Sequence, residues 1–411
     1  MRKVICITMV LLLALGFVAC APQGGDDQVA TPEAEAPEVE AEVEAEVEAP
    51  EEAPQPERLG LNIIPIVPDG EFIMEVEATG PQGEPVVDMQ YVVDLLSEDD
   101  IETIRDSGFT AVINMHYVAD DWPQLQIAGI SDTLEQLNIE LLTVTDARLQ
   151  IEQQVSDVET SIQLAPDLLF IQPLDQDAMY PVLRRAADAG ITIVFLDSVV
   201  SNFEHPRDFA GVVKSDNYAI SRVAAEILAE RIGYEGDVGL IHFRFSLPHT
   251  DMRSRAALNV FNSYPDINIV AEQAVESPEE ALDVIETLLV ANPTIEAIWV
   301  CWDSLGMAGA AVAANLGRQV YFAGPDLSRD SAFSIASGGL YIGSGAQHPY
   351  DQGVAEVLLG AAALLGKDVP QFVIVPGRKV TRENIESAWI GVFHEPLSSE
   401  MEEALIANPV N

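Results

Sequence analysis

Acidic and aromatic side chains in this sequence recur directly after short apolar runs, where they could bind a small polar molecule. Ring faces can cover the C–H side of a sugar, and carboxylate or amide oxygens accept hydrogen bonds from its hydroxyl groups. The residues after such runs are His116, Tyr117, Asp120 to Trp122, Asp146, Asp175, Asp197, His242 to Phe245, Trp302, Asp303, Asp326 and Gln347. A monosaccharide or polyol is the expected ligand. An amine or a nucleoside is the alternative, because carboxylates also pair with ammonium groups.

The sequence lacks the spaced motifs of common catalytic and cofactor chemistry. G-x-G-x-x-G, the P-loop lysine motif, G-x-S-x-G and H-E-x-x-H do not occur, and the six histidines lack the spacing of a zinc site. Aromatic residues without a paired nucleophile and base indicate binding and not catalysis. We therefore expect no enzymatic activity, no cofactor and no metal.

The elements that must hold these residues alternate between strands and helices. From about Phe109, short apolar runs alternate with amphipathic stretches, and the pattern starts again after Lys214. Runs such as Ile191–Leu196 are almost wholly apolar, which is typical of parallel strands covered by helices on both faces. The pattern predicts an α/β fold with two doubly wound parallel-sheet lobes. Ligands of such sheets bind beyond the carboxyl ends of the strands, so the residues after each apolar run are the best candidates for ligand contact.

The first residues have the features of an export signal. Arg2 and Lys3 precede an apolar run that ends at Ala19, and Cys20 follows it. The stretch Phe17–Cys20 resembles a bacterial lipoprotein processing site, so Cys20 is the predicted lipidation site. The protein is expected to be exported and to lie in the periplasm or on the outer face of the cytoplasmic membrane, held by lipid. Ordinary secretion with a chance cysteine is the alternative.

The composition excludes one class of partner. The chain has 67 acidic and 20 basic residues and a net charge of −47, whereas nucleic-acid phosphates require a basic surface. Residues 20–58 are rich in Ala, Pro, Glu and Val and cannot bury a core, so they are predicted to form a disordered acidic tether. Cys301 stands alone in an apolar run, where a buried thiol is expected.

Two segments resemble the ribose-binding-protein branch of the type I periplasmic binding proteins. They are the run Asp146–Asp197, which reads DARLQIEQQVSDVETSIQLAPDLLFIQPLDQDAMYPVLRRAADAGITIVFLD, and the later segment VVKSDNYAISRVAAEILAERI. The resemblance covers about residues 109–381. It implies two lobes joined by a three-strand hinge, with the chain crossing near Lys214, Gln347 and Pro376. It also implies a monomeric solute-binding protein that serves the permease of an ABC-type importer, with a receptor for chemotaxis or signalling as the alternative.

The resemblance also implies roles for individual residues. Asp197 matches an aspartate that grips ligand hydroxyls, and Arg253 matches an arginine that opens a helix in the second lobe, with Arg255 one step away as the alternative. Trp302 stands where the family has asparagine, which predicts stacking instead of hydrogen bonding. Ala256–Ala257 replaces the family's Gly-Phe. The full predicted site is His116, Trp122, Asp197, His242, Phe245, Arg253, Trp302, Asp303, Asp326 and Gln347.

These assignments have structural alternatives. Aspartates at strand ends also cap helices, tryptophans at strand ends also fill cores, and histidines there are often structural hydrogen-bonding groups. The predicted domains are a signal peptide (1–19), the tether (20–58), an extension of unknown role (59–106), an N-terminal lobe (107–213 plus 348–376), a C-terminal lobe (214–347 plus 377–395) and a tail (396–411).

Overall fold

The computed structural model describes residues 61, 72–73, 84–245 and 247–408. The predictions for the export signal, for Cys20 and for the acidic tether lie outside these residues. Among the helices that are described, none combines the length and the apolar character needed to cross a bilayer.

Strands and helices alternate along most of the described chain. The strands are β1 (Phe72–Ile73), β2 (Val86–Asp88), β3 (Thr110–Met115), β4 (Glu140–Asp146), β5 (Leu168–Ile171), β6 (Thr192–Leu196), β7 (Gly211–Ser215), β8 (Gly236–Phe243), β9 (Ile267–Val275), β10 (Ile295–Val300), β11 (Tyr321–Pro325), β12 (Tyr341–Ala346), β13 (Phe372–Val375) and β14 (Gly377–Val380). The helices are α1 (Met89–Asp94), α2 (Glu98–Ser107), α3 (Asp121–Gln136), α4 (Ile151–Leu164), α5 (Gln176–Asp188), α6 (Asn217–Arg231), α7 (Pro248–Ser263), α8 (Pro278–Ala291), α9 (Asp303–Asn315), α10 (Arg329–Ser337), α11 (Pro349–Leu364), α12 (Ile385–Phe393) and α13 (Ser399–Ala407).

The strands form two sheets, one in each lobe. The first sheet has the order β2-β13-β7-β6-β5-β3-β4, and all its neighbours are parallel. The second has the order β1-β14-β12-β11-β10-β8-β9, in which β14 pairs antiparallel with β1 and β12 and the other described pairs are parallel. Strands β5 and β7 are buried along their whole length, because helices cover both faces of the sheet. The fold class predicted from the sequence is confirmed.

The chain passes between the two lobes at three places. After β7 it enters α6, which packs on β11 and β12 of the second lobe. After β12 it returns through α11, which packs against α3 of the first lobe. The last passage is at Pro376, between β13 and β14. Three separate connections allow the lobes to rotate about a hinge. The residue limits given above for the lobes stay predictions.

Each lobe has a core of its own. In the first lobe, Phe170 packs in the cluster on one face of the sheet and Phe195 in the cluster on the other. In the second lobe, Trp299 and Phe322 belong to one continuous cluster. All four side chains are fully buried, and burying one such side chain stabilises the fold by roughly 1.5–3 kcal/mol.

The extension and the tail belong to the folded lobes. Strand β2 pairs with β13 at the edge of the first sheet, and β1 pairs with β14 at the edge of the second. Helix α2 begins with a capping box between Ser97 and Asp100, and the Asp100 carboxylate also accepts a hydrogen bond from Lys367 at 2.7 Å. Helix α13 packs against α10. The sequence left the role of residues 59–106 open, and part of it is to supply an edge strand to each sheet.

Candidate ligand-binding site

One cavity lies between the carboxyl ends of the two sheets. It has a volume of about 120 Å³. A single water molecule needs roughly 10–15 Å³ of such space, so the cavity can hold a solute considerably larger than water. The predicted residues that line it are His116, Trp122, Asp197, Arg253, Trp302, Asp303, Asp326 and Gln347.

Two aspartates occupy equivalent positions, one in each lobe. Asp197 follows β6 and Asp326 follows β11, and their φ angles are 58° and 73°. Asp and Asn adopt this left-handed backbone more readily than other side chains with a Cβ atom. Asp197 is 7% exposed, and its Oδ1 has no hydrogen-bond partner among the described residues. Burial raises the pKa of Asp197 to about 6, although Arg253 opposes the shift.

A buried guanidinium holds the second aspartate. Nη1 and Nη2 of Arg253 donate to Asp326 at 2.9 and 3.3 Å, and Nε donates to Asn217 at 2.7 Å. Nη1 also donates to the carbonyl oxygen of Cys301 at 3.1 Å. Four of the five N–H groups of Arg253 therefore have partners, and one on Nη2 has none among the described residues. Arg255 is exposed, so Arg253 is the arginine that faces the cavity.

Aromatic rings form part of the wall in both lobes. Trp122 and His116 meet edge to face in the first lobe, with ring centroids 6.2 Å apart. Trp302 and Phe243 also meet edge to face in the second lobe, with ring centroids 5.3 Å apart. Nε1 of Trp302 donates to Ser304 at 2.7 Å, whereas Nε1 of Trp122 and Nδ1 of His116 have no partner among the described residues. These two buried ring nitrogens of the first lobe therefore have unused hydrogen-bonding capacity in residues that line the cavity.

Asp303 and Gln347 support their neighbours. The Asp303 carboxylate accepts hydrogen bonds from the backbone N–H of Ser328 and the hydroxyl of Ser331, both at 2.6 Å. These bonds fix the start of α10 at the edge of the cavity. Nε2 of Gln347 donates to Oδ1 of Asp326 at 2.6 Å. Both side chains thus hold other parts of the cavity wall in place.

Two predicted residues do not line the cavity. His242 lies on the opposite face of β8, where its ring nitrogens contact Ser254 at 2.9 Å and Glu272 at 3.2 Å. Successive side chains of a strand point to opposite faces, so Phe243 lines the cavity in its place. Phe245 lies beyond the strand end, is 42% exposed and packs edge to face against Phe243.

The cavity also contains residues that the sequence did not select. Gln172 directly follows β5 and is 5% exposed, so the strand-end rule identifies it better than the Asp175 that was chosen. His249 lies in the first turn of α7, which begins at Pro248, whereas the resemblance implies a helix that begins at Arg253. The signal for that earlier start was the proline, which is favoured at the first position of a helix.

Direct contacts join the lobes beside the cavity. Asp121 of α3 accepts hydrogen bonds from the backbone N–H of Arg329 at 2.6 Å and from its Nη1 at 2.5 Å, at the start of α10. On the other side, the hydroxyl of Ser198 lies 2.8 Å from Nδ1 of His249. These contacts require the lobes to be close together, so the structure describes a closed arrangement.

Comparison with known proteins places the fold and the cleft in a family. A family model described as "Periplasmic binding protein domain" matches residues 111–368. The xylitol-binding protein of Mycolicibacterium smegmatis is 23% identical over 263 residues, covering 63% of this chain and 74% of the relative. The D-allose-binding periplasmic protein of Escherichia coli is 27% identical over 247 residues, covering 55% and 79%.

A solved structure agrees with these relatives. The crystal structure of an ABC transporter periplasmic solute-binding protein from Actinobacillus succinogenes, with bound D-allose, superposes with a TM-score of 0.62 at 26% identity. It covers 68% of this chain and 99% of that one. Because the family model matches more than half of the sequence and the two-lobed fold agrees with it, this chain belongs to the periplasmic binding proteins of type I, in the ribose-binding branch.

Proposed function

We propose that this protein binds a monosaccharide or polyol between its lobes and delivers it, as a monomer, to the permease of an ABC-type importer. The family consists of exported solute-binding proteins without catalytic activity. Relatives are named for binding xylitol and D-allose, and the solved neighbour contains D-allose. These ligands are a polyol and a sugar, both small molecules rich in hydroxyl groups.

One observation in the cavity carries the proposal. Four polar atoms of the first lobe have no hydrogen-bond partner among the described residues: Nδ1 of His116, Nε1 of Trp122, Oε1 of Gln172 and Oδ1 of Asp197. A buried polar atom without a partner costs about 1–3 kcal/mol. Donors and acceptors are both present, as a hydroxyl-rich ligand requires, because each hydroxyl can donate and accept. Aromatic rings beside them can cover the ligand's C–H faces.

We expect one member of a panel of sugars and polyols to raise the melting temperature of the soluble protein, because a ligand that binds only the folded state stabilises it. Small-angle scattering with the same ligand should show a smaller radius of gyration, because the ligand contacts both lobes and favours closure. A protein without its lipid anchor, starting after the tether, suits both measurements. If no member of the panel changes either quantity, the proposed ligand class is wrong.

We also propose that Cys20 carries a lipid that holds the protein at the membrane. The support is the apolar run that ends at this cysteine. In the Cys20→Ala variant we expect the protein to be soluble or to keep its signal peptide, which membrane fractionation and a mass measurement distinguish. A fully processed variant that stays as tightly membrane-bound as the parent would contradict the lipid anchor.

A further inference from the structure

The cavity contains more negative than positive side chains. Five carboxylates line it, whereas Arg253 is the single guanidinium or ammonium group among the described lining residues. The five are Asp120, Asp121, Asp197, Asp303 and Asp326. Buried carboxylates require cations or several hydrogen bonds, and the five differ in how far the protein supplies these partners.

Three of the five have partners within the protein. Asp326 is paired with Arg253, and Asp121 with Arg329. Asp303 accepts two hydrogen bonds at the start of α10, as described above. The charges of Asp326 and Asp121 are balanced before any ligand enters. Asp303 has two hydrogen bonds but no cation among the described residues, and burial raises its pKa to about 6.

Asp197 is only partly compensated. The cations of Arg253 and Lys214 act on its carboxylate, but its Oδ1 has no hydrogen-bond partner among the described residues although the side chain is 93% buried (7% exposed). Oε1 of Gln172, on the same wall, is a second unpaired acceptor in a residue that is 5% exposed. This part of the wall requires a donor from the ligand.

Asp120 has no cationic partner among the residues that the structure describes. It stands at the N-cap position of α3, yet its side chain accepts no hydrogen bond from the helix backbone. The Ser304 hydroxyl of the second lobe donates to it, while its other charged neighbours are the carboxylates of Asp303, Asp326 and Asp121. Burial and these like charges raise the pKa of Asp120 to about 7. The usual structural role of an aspartate at this position, capping a helix, is therefore not the role of Asp120.

The cavity histidines do not balance this charge. Burial lowers the pKa of His116 to about 4, and burial with the nearby Arg253 lowers that of His249 well below its ordinary value. Both rings are therefore neutral at pH 7. Without a ligand, Asp120 can lose its charge by taking up a proton, since its pKa is about 7, and no described cation is placed to stabilise the ionised form. Among the described residues no cluster of side chains is suited to hold a metal ion, so a cation that pairs with Asp120 would come with the solute.

Resting on the proposed function, we infer that the solute is a polyhydroxylated amine and that Asp120 pairs with its ammonium group. An ammonium group has three donors and no acceptor, which matches a wall whose unpaired oxygens are acceptors. The rings of Trp122, Trp302 and Phe243 line the same cavity and can attract a desolvated cation through their faces. The hydroxyl groups of the same molecule satisfy the remaining polar atoms.

Matched pairs of ligands test the inference. D-Sorbitol, ribitol and myo-inositol are each compared, by calorimetry, with the monoamino-deoxy compound in which one hydroxyl is replaced by an amine. In at least one pair the amine should bind about 10- to 100-fold more tightly than the neutral compound. Asp120→Asn should remove this preference. Asn can occupy the same N-cap position, and the helix loses no capping hydrogen bond.

Asp121→Asn is the matched control, because it removes the neighbouring carboxylate, which already has Arg329 as its partner. It should lower the affinity for both members of a pair and keep their ratio. If the neutral member binds as tightly as the amine or more tightly in every pair, the amine inference fails while the proposed function stands. A preference for the amine that persists in Asp120→Asn overturns the assignment to Asp120. If neither member of any pair binds, the amine inference fails, and the wider panel of sugars and polyols decides the proposed function separately.

Discussion

In the Asp326→Asn variant, we expect the free energy of unfolding to fall by about 2–3 kcal/mol. Arg253 is 4% exposed, and its guanidinium donates to both carboxylate oxygens of Asp326. Breaking a buried ion pair from one side typically costs about 3–5 kcal/mol, because the remaining charge stays buried. The Asp197 carboxylate also acts on Arg253 and offsets part of this loss. Asn tolerates the positive φ of 73°, so backbone strain does not add to the effect.

Ligand affinity should fall in the same variant by at least about tenfold, because Asp326 no longer holds the Arg253 guanidinium in the orientation proposed for ligand binding. Denaturant unfolding measures the stability, and calorimetry with the ligand from the panel measures the affinity. The double variant Arg253→Met with Asp326→Asn is the control. It removes both charges of the pair, while Asp197 loses one of the two cations that act on it, so the variant should recover part of the stability but not the affinity. An Asp326→Asn protein that unfolds at the denaturant concentration of the parent would contradict the role of the ion pair.

The Asp197→Asn variant should bind ligand about 10- to 100-fold more weakly and yet be more stable without ligand. In the proposed site, the unpaired Oδ1 of Asp197 accepts a hydrogen bond from the ligand, and a hydrogen bond to a charged group is worth about 1.5–3 kcal/mol. Without ligand, burial penalises that same charge and raises the pKa from 3.8 to about 6. A raised carboxyl pKa in the folded state means that the parent loses stability as pH rises between these two values. At pH 7 the free energy of unfolding of the ligand-free variant should exceed that of the parent by about 2 kcal/mol, because Asn has no charge to bury.

The pH dependence of unfolding separates this explanation from a general change in packing. The gain in stability should be largest at pH 7 and should shrink as pH falls toward 4, where the carboxyl of the parent is protonated in the folded state. Asp175→Asn is the matched control, since Asp175 caps α5 at another strand end, outside the cavity, and Asn caps helices equally well. That variant should bind like the parent. If the parent and the Asp197→Asn variant bind the ligand with equal affinity, Asp197 does not contact the ligand.

The order of the elements and the fold class could be predicted because they depend on local patterns. The apolar run Ile191–Leu196 can only be buried on both faces, and the observed strand Thr192–Leu196 lies inside the first sheet. The strand-end rule then placed Asp197, Trp302 and Asp326 at the cavity. Where the rule was applied without the alternation of side chains along the strand, as at His242, it selected the wrong face.

Short-range signals also limited the accuracy of the boundaries. The resemblance implies that Arg253 opens a helix, but α7 begins at Pro248, because its first turn is formed by polar residues that follow a proline at the first helical position. The role of residues 59–106 could not be predicted from local patterns. Strand β2 contains three residues and β1 contains two, and such short strands are specified by pairing with β13 and β14 more than by their own sequence.

The sequence by itself determined the elements, their order and the polar residues at the strand ends, because helical and strand periods and apolar runs are properties of neighbouring residues. Only the tertiary structure decided which of these residues meet. Arg253 and Asp326 are 73 positions apart, and Arg329 and Asp121 are 208 apart. Whether a carboxylate pairs with a cation depends on how the two lobes pack and on how far their packing excludes water. The local sequence does not distinguish Asp121, which pairs with Arg329, from Asp120, which has no cationic partner among the described residues.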